Sequence, residues 1–71
     1  MKLEEKIAML ADLFDVEEGE ISPETVLADL NWDSMAMLGL IAMARNDFGK
    51  KLEGVQLRAF KTINDILVAL D

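Results

Sequence analysis

Residues 33–49 read DSMAMLGLIAMARNDFG. Asp33 and Ser34 are both helix-capping residue types, and they precede an unbroken run rich in Ala, Leu and Met. Gly49 supplies a C-terminal stop, and Lys50 and Lys51 sit favourably beside the negative end of a helix. The expectation is a helix from Ser34 to Asp47 or Phe48. Met37, Leu40, Ile41, Ala44 and Phe48 fall on one stripe of it, which is assigned to the core. Met35, Leu38, Ala42 and Arg45 form a second stripe, offset around the helix. An ordinary surface helix has only one apolar stripe. The second is therefore covered by loop residues or presented to a partner. Methionine suits a surface that adapts to several partners.

Working outward, Leu3, Ile7, Leu10 and Phe14 mark an amphipathic helix that ends near Phe14 or Asp15. A long acidic loop follows, from about Asp15 to Asp33. Ser22-Pro23 resembles a local helix start, but the expectation is a loop pinned to the core by Ile21, Val26, Leu27 and Leu30. A loop that long in a small domain is either well packed or functional. Beyond Gly49, a short helix is expected over Gly54–Arg58. Thr62 with Asp65 makes a capping box, with Asp in place of the usual Glu. It starts a last helix with Ile63, Ile66, Leu67 and Leu70 on one face. No segment alternates with period two, so no sheet is expected. The fold class is all-α: a single domain over residues 1–71, built as a small bundle of three main helices and one short helix.

The chain has 71 residues, of which 52% are hydrophobic and 30% charged, enough apolar content for one folded core. Seven Lys/Arg stand against fourteen Asp/Glu, a net charge of −7. That balance argues against nucleic acid and against an anionic membrane surface as partners. The charge is uneven. Residues 1–33 hold two Lys and ten Asp/Glu, a net −8, whereas residues 34–71 hold five Lys/Arg and four Asp/Glu, a net +1. There is no His, Cys or Tyr. A Cys/His zinc site, a thiol nucleophile, a disulfide framework and a Ser–His couple are excluded. The acids between Asp15 and Glu20 lack the spacing of an EF-hand loop. The start Met-Lys-Leu-Glu-Glu-Lys does not resemble a signal peptide. The longest weakly polar run, Met35–Ala44, is far short of the roughly 20 residues of a membrane helix. A cytoplasmic monomer without membrane insertion is expected. A single core of this size supplies no more than about 3–5 kcal/mol, so a deep enzyme pocket is not expected either.

With these landmarks in place, Leu30-Asn31-Trp32-Asp33-Ser34-Met35 resembles the acyl carrier protein family, whose Asp-Ser-Leu motif receives 4′-phosphopantetheine on the serine. The resemblance extends over nearly the whole chain: the first helix, the long loop, Asp33-Ser34-Met35, the Phe48-Gly49 helix end, and Thr62-Ile63-Asn64-Asp65. It implies a carrier, not an enzyme, with Ser34 as the attachment residue and 4′-phosphopantetheine from coenzyme A as the covalent cofactor. It implies that Asp33 helps a phosphopantetheinyl transferase engage the serine. Met35 replaces the family's Leu at similar size and polarity. Trp32 reads as a half-buried anchor. The implied partners are the transferase, an acyl- or aminoacyl-loading ligase or transferase, and downstream synthase enzymes.

The physical sense of the match is that a thioester carrier needs a thiol, and this chain must import one. A phosphodiester on Ser34 would meet the positive end of the helix dipole. A tethered cargo can then visit several enzymes at high effective concentration. The partner face is expected at Met35, Ala36, Leu38, Gly39, Ala42 and Arg45. Family members in fatty-acid synthesis carry several acids on this face. Here Ala36, Gly39, Arg45 and Asn46 occupy those positions, and Asp47 is the acid nearby, so steering by charge is weaker. A dedicated carrier for a specialised pathway fits better than a housekeeping one. Met37, Ala44, Leu57, Phe60 and Ile66 are candidates for lining an acyl cleft, or for plain core filling. Two other readings remain open: a peptidyl or aminoacyl carrier, and a non-covalent helical interaction module that uses the Met-rich face.

Overall fold

A computed structural model describes residues 2–71. The helices are α1 (Leu3–Phe14), α2 (Ser34–Phe48), α3 (Gly54–Ala59) and α4 (Ile63–Leu70). Among the described residues there is no strand. The all-α bundle with three main helices and one short one is the fold expected from the periodicity. None of these helices is long and apolar enough to cross a membrane.

α1 ends where Asp15 takes a left-handed conformation, φ 58°, and the Val16 N–H reaches back to the Ala11 carbonyl at 2.9 Å. α2 ends the same way. Gly49 has φ 63° and ψ 25°, and the Lys50 N–H bonds to the Ala44 carbonyl at 2.9 Å. Glycine bears this conformation without the Cβ penalty that other residues meet.

The core is built from Leu10, Ala11, Phe14, Ile21, Leu27, Leu40, Ala44, Leu52, Leu57, Ile63, Ile66 and Leu70, with half-buried residues packed around them. The α1 stripe keeps its expected phase: Leu10 and Phe14 are buried, Ile7 packs against the core and Ala11 joins them. Leu3, in the first turn, is the exception at 53% exposed.

The segment between α1 and α2 contains two 3₁₀ turns, Glu18–Glu20 and Leu27–Asp29. Ile21 and Leu27 are buried and Leu30 half-buried, as expected, but Val26 is 45% exposed. Its contribution is through backbone. Val26 and Thr62 form an isolated antiparallel bridge. Around it the Leu27 N–H donates to the Lys61 carbonyl (2.8 Å), the Ile63 N–H to Thr25 (3.0 Å) and the Asn64 N–H to Pro23 (2.9 Å). The loop is therefore stitched to the α3–α4 junction, which holds the chain ahead of α2 in place. Ser22 opens a turn rather than a helix: the Thr25 N–H donates to the Ser22 carbonyl at 3.0 Å.

The Thr62–Asp65 capping box forms as expected. The Asp65 carboxylate accepts from the Lys61 N–H at 2.8 Å and the Thr62 N–H at 3.1 Å. The Lys61 bond, then the Thr62 bond, lowers its pKa. A carboxyl lowered on folding stabilises the fold fully above its unfolded value, about 3.9. That contribution fades as pH falls through the lower folded value. An Asp65→Asn variant should therefore show a flatter loss of thermal stability below about pH 4. Melting curves across pH 2–6 measure this, and parallel curves for the two proteins would refute it.

Candidate functional site

Asp33, Ser34 and Met35 are all exposed at the start of α2. Asp33, not Ser34, is the N-cap. Its backbone is extended, φ −120° and ψ −175°, and its carboxylate Oδ1 accepts from the Ala36 N–H at 3.0 Å. Its carbonyl accepts from the Met37 N–H at 3.0 Å. Ser34 is the first helical residue. The Ala36 N–H, one of the amides left over at a helix start, is thereby satisfied, and the Met37 bond is the first rung of the helix's own ladder. The N–H groups of Ser34 and Met35 remain directed toward the open end of the helix. Among the described residues, no side chain or backbone group bonds to the Ser34 hydroxyl. The site therefore offers an exposed, unengaged hydroxyl beside two free amides and the positive end of a 15-residue helix. A phosphodiester on that exposed oxygen would meet these donors.

The division of labour has a measurable consequence. Asp33→Ala should cost about 0.5–2 kcal/mol, the usual loss for a removed N-cap. Urea denaturation followed by circular dichroism checks this. A loss below the resolution of that measurement would mean that the Asp33–Ala36 bond does not hold in solution.

Along α2 the second stripe lies open. Met35 is 82% and Leu38 68% exposed, and Ala42 and Arg45 are exposed as well. Two residues expected on this face are placed elsewhere. Ala36 is 7% exposed and belongs to the core, because the buried face of α2 follows Ala36, Leu40 and Ala44 at intervals of four. Gly39 is half-buried and faces α1. A Cβ there would lie 2.6 Å from Leu13 Cδ1, so the missing side chain admits a neighbouring helix of the same chain.

The acyl-cleft candidates do not line one opening. Ala44, Leu57 and Ile66 are buried in the closed core, whereas Met37 and Phe60 are half-buried. Phe60 instead borders a shallow hollow of about 420 Å³ on the loop side, with Val26, Leu27, Leu30, Trp32 and Lys61. Trp32 is half-buried, its ring tilted 51° from that of Phe14 at a centroid distance of 6.0 Å. Val26, Leu30 and Lys61 had no signal in the sequence as site residues, because the backbone bridge brings them there. No group of three or more metal-ligating side chains occurs among the described residues.

Known proteins point the same way as this geometry. Residues 7–70 match the family described as "Phosphopantetheine attachment site". The chain is similar to the acyl carrier protein of Micrococcus luteus, 32% identical over 73 residues that cover 96% of this chain and 90% of that protein. It is also similar to the acyl carrier protein of Thermosynechococcus vestitus, 33% identical over 66 residues that cover 92% and 82% of the two. No solved structure matches it significantly. The match runs across nearly the whole length of a small helical bundle. The chain belongs to the acyl carrier protein family and is a carrier, not an enzyme, whose cofactor is covalent 4′-phosphopantetheine.

Proposed function

We propose that Ser34 is the residue that bears the arm, and that this chain carries acyl intermediates as thioesters for a specialised pathway. The supporting observation is the free Ser34 hydroxyl at the start of α2, exposed and uncommitted to capping. When bound, the arm supplies the thiol that the sequence lacks. The residues of the chain do the rest. The Ser34 and Met35 amides face the phosphodiester, Asp33 holds the helix start and meets the transferase, and Met35, Leu38, Ala42 and Arg45 present an apolar docking face. Residues 1–71 act as one domain, a monomer working in the cytoplasm. Its partners are a phosphopantetheinyl transferase, a loading ligase or transferase, and the synthase enzymes that use the cargo. The specialised role rests on α2 itself, whose exposed side carries Arg45 and Asn46 and a single acid, Asp47.

The test is incubation of the apo chain with coenzyme A and a broad-range transferase. A mass gain of one phosphopantetheine, mapped to the Ser34 peptide, is the expected result. Folded protein with unchanged mass overturns the assignment and favours a non-covalent interaction module. Offering the holo chain to ligases for fatty, dicarboxylic and amino acids then separates an acyl carrier from an aminoacyl one.

A further inference from the structure

At the far end of α2 from Ser34, a hollow of about 400 Å³ opens between Ile41, Arg45, Gly49, Lys50, Lys51 and Leu52. Leu52 is buried and Ile41 half-buried, so they form an apolar floor. Arg45, Lys50 and Lys51 are exposed around it. None of the three is in an ion pair or a side-chain hydrogen bond among the described residues, where the salt bridge found is Lys6–Asp71. Asp47 and Glu53 are the acids in this stretch, and they leave residues 41–53 with net positive charge. The molecule as a whole is at −7.

The hollow continues the exposed stripe. Met35, Leu38, Ala42 and Arg45 run about 15 Å along α2, and Arg45 belongs to both. A partner lying along that stripe meets apolar surface first and three uncommitted cations at its end. We infer that the docking surface of the partner enzyme is apolar and rimmed by carboxylates that face Arg45, Lys50 and Lys51. This rests on the reading of α2 as the docking face, and it gives that face a charge sign. The helix dipole favours cations at this end of α2, where Arg45 lies in the last turn and Lys50 and Lys51 follow the stop; the concave apolar floor between them is what makes the place a docking surface. Opposed charges of this kind set orientation and reject wrong partners more than they add affinity. At physiological salt, charges beyond about 8 Å are screened. The local positive patch can therefore attract carboxylates although the net charge is negative.

Two synthetic amphipathic helices serve as probes. They share a leucine face, which is flanked by glutamates in one and by lysines in the other. Each is titrated into isotope-labelled holo chain, with the modification confirmed by mass beforehand. A missing mass gain thus tells against Ser34, and a missing titration tells against the patch. The glutamate probe should shift the amides of Leu38, Ile41, Arg45 and Gly49 through Leu52. Arg45→Glu/Lys50→Glu/Lys51→Glu, checked for unchanged helicity, should bind it about tenfold more weakly. Added salt should weaken the unsubstituted chain in the same direction. Tighter binding of the lysine probe at these amides, unchanged binding of the triple variant, or no shifts at all overturns the proposal. So does inorganic phosphate moving the same amides while the glutamate probe moves none, which would mark an anion hollow instead.

Discussion

Ser34→Ala should abolish attachment of the arm and leave the bundle intact. The hydroxyl is exposed and makes no hydrogen bond among the described residues, so its removal strands no partner. The cap of α2 belongs to Asp33, which keeps its bond to the Ala36 N–H. Alanine is also the better helix former, by a few tenths of a kcal/mol. Stability should therefore stay within about 0.5 kcal/mol of the unsubstituted chain. Modification should fall to nothing, because the arm has no other oxygen at that place. The remaining serine, Ser22, is a natural control. Its hydroxyl donates to the Glu24 carboxylate at 3.0 Å in the turn before α2, and Ser22→Ala should still gain the full mass. Intact mass after incubation with transferase and coenzyme A reads both variants, and thermal melting reads the fold. A Ser34→Ala chain that still gains the mass would place the arm on another residue and end the assignment.

The same pair of residues shows what a sequence discloses. The ends of α2 were legible because caps act locally. Asp33 can reach the amide three residues on, and Gly49 tolerates the positive φ that stops the helix. The Thr62–Asp65 box was legible for the same reason. The two stripes of α2 were legible as well: Leu40 and Ala44 are buried with Met37, Ile41 and Phe48 packed against the core, whereas Met35, Leu38, Ala42 and Arg45 are exposed. The boundary between the stripes was not, because Ala36 and Gly39 are small enough to suit either side. The structure buries Ala36 and turns Gly39 toward Leu13 of α1. The long loop and its pinning by Ile21, Leu27 and Leu30 were legible, but its backbone attachment was not. Its hold on the α3–α4 junction runs through backbone N–H and C=O groups near Val26 and Thr62, which every residue carries. For that reason the hollow beside Trp32 could not be read from residue types.

The Ser34 end of the molecule is packed against a side chain remote in sequence. Phe14 is 1% exposed in the core, and its ring lies 6.0 Å from that of Trp32, two residues before Ser34. Truncating a buried phenylalanine to alanine costs about 3–5 kcal/mol, from lost transfer energy and the cavity left behind. A core of this size supplies about 3–5 kcal/mol in total. The loss matches the most that such a core supplies, so at least about half of the Phe14→Ala molecules should be unfolded at room temperature. Phe14→Leu keeps most of the apolar volume, and should fold with a smaller loss. The single tryptophan gives the readout without a label. Trp32 emission should move toward the solvent-exposed wavelength in Phe14→Ala and stay near its original position in Phe14→Leu, while urea titration gives the stability of each. A Phe14→Ala chain that unfolds cooperatively with a loss under about 1 kcal/mol would contradict this, because so small a cost belongs to an exposed ring. If the expected order holds, the segment bearing Asp33 and Ser34 is held by packing against α1 as well as by its own cap. Weakening that contact should then slow modification of Phe14→Leu even though its hydroxyl is untouched.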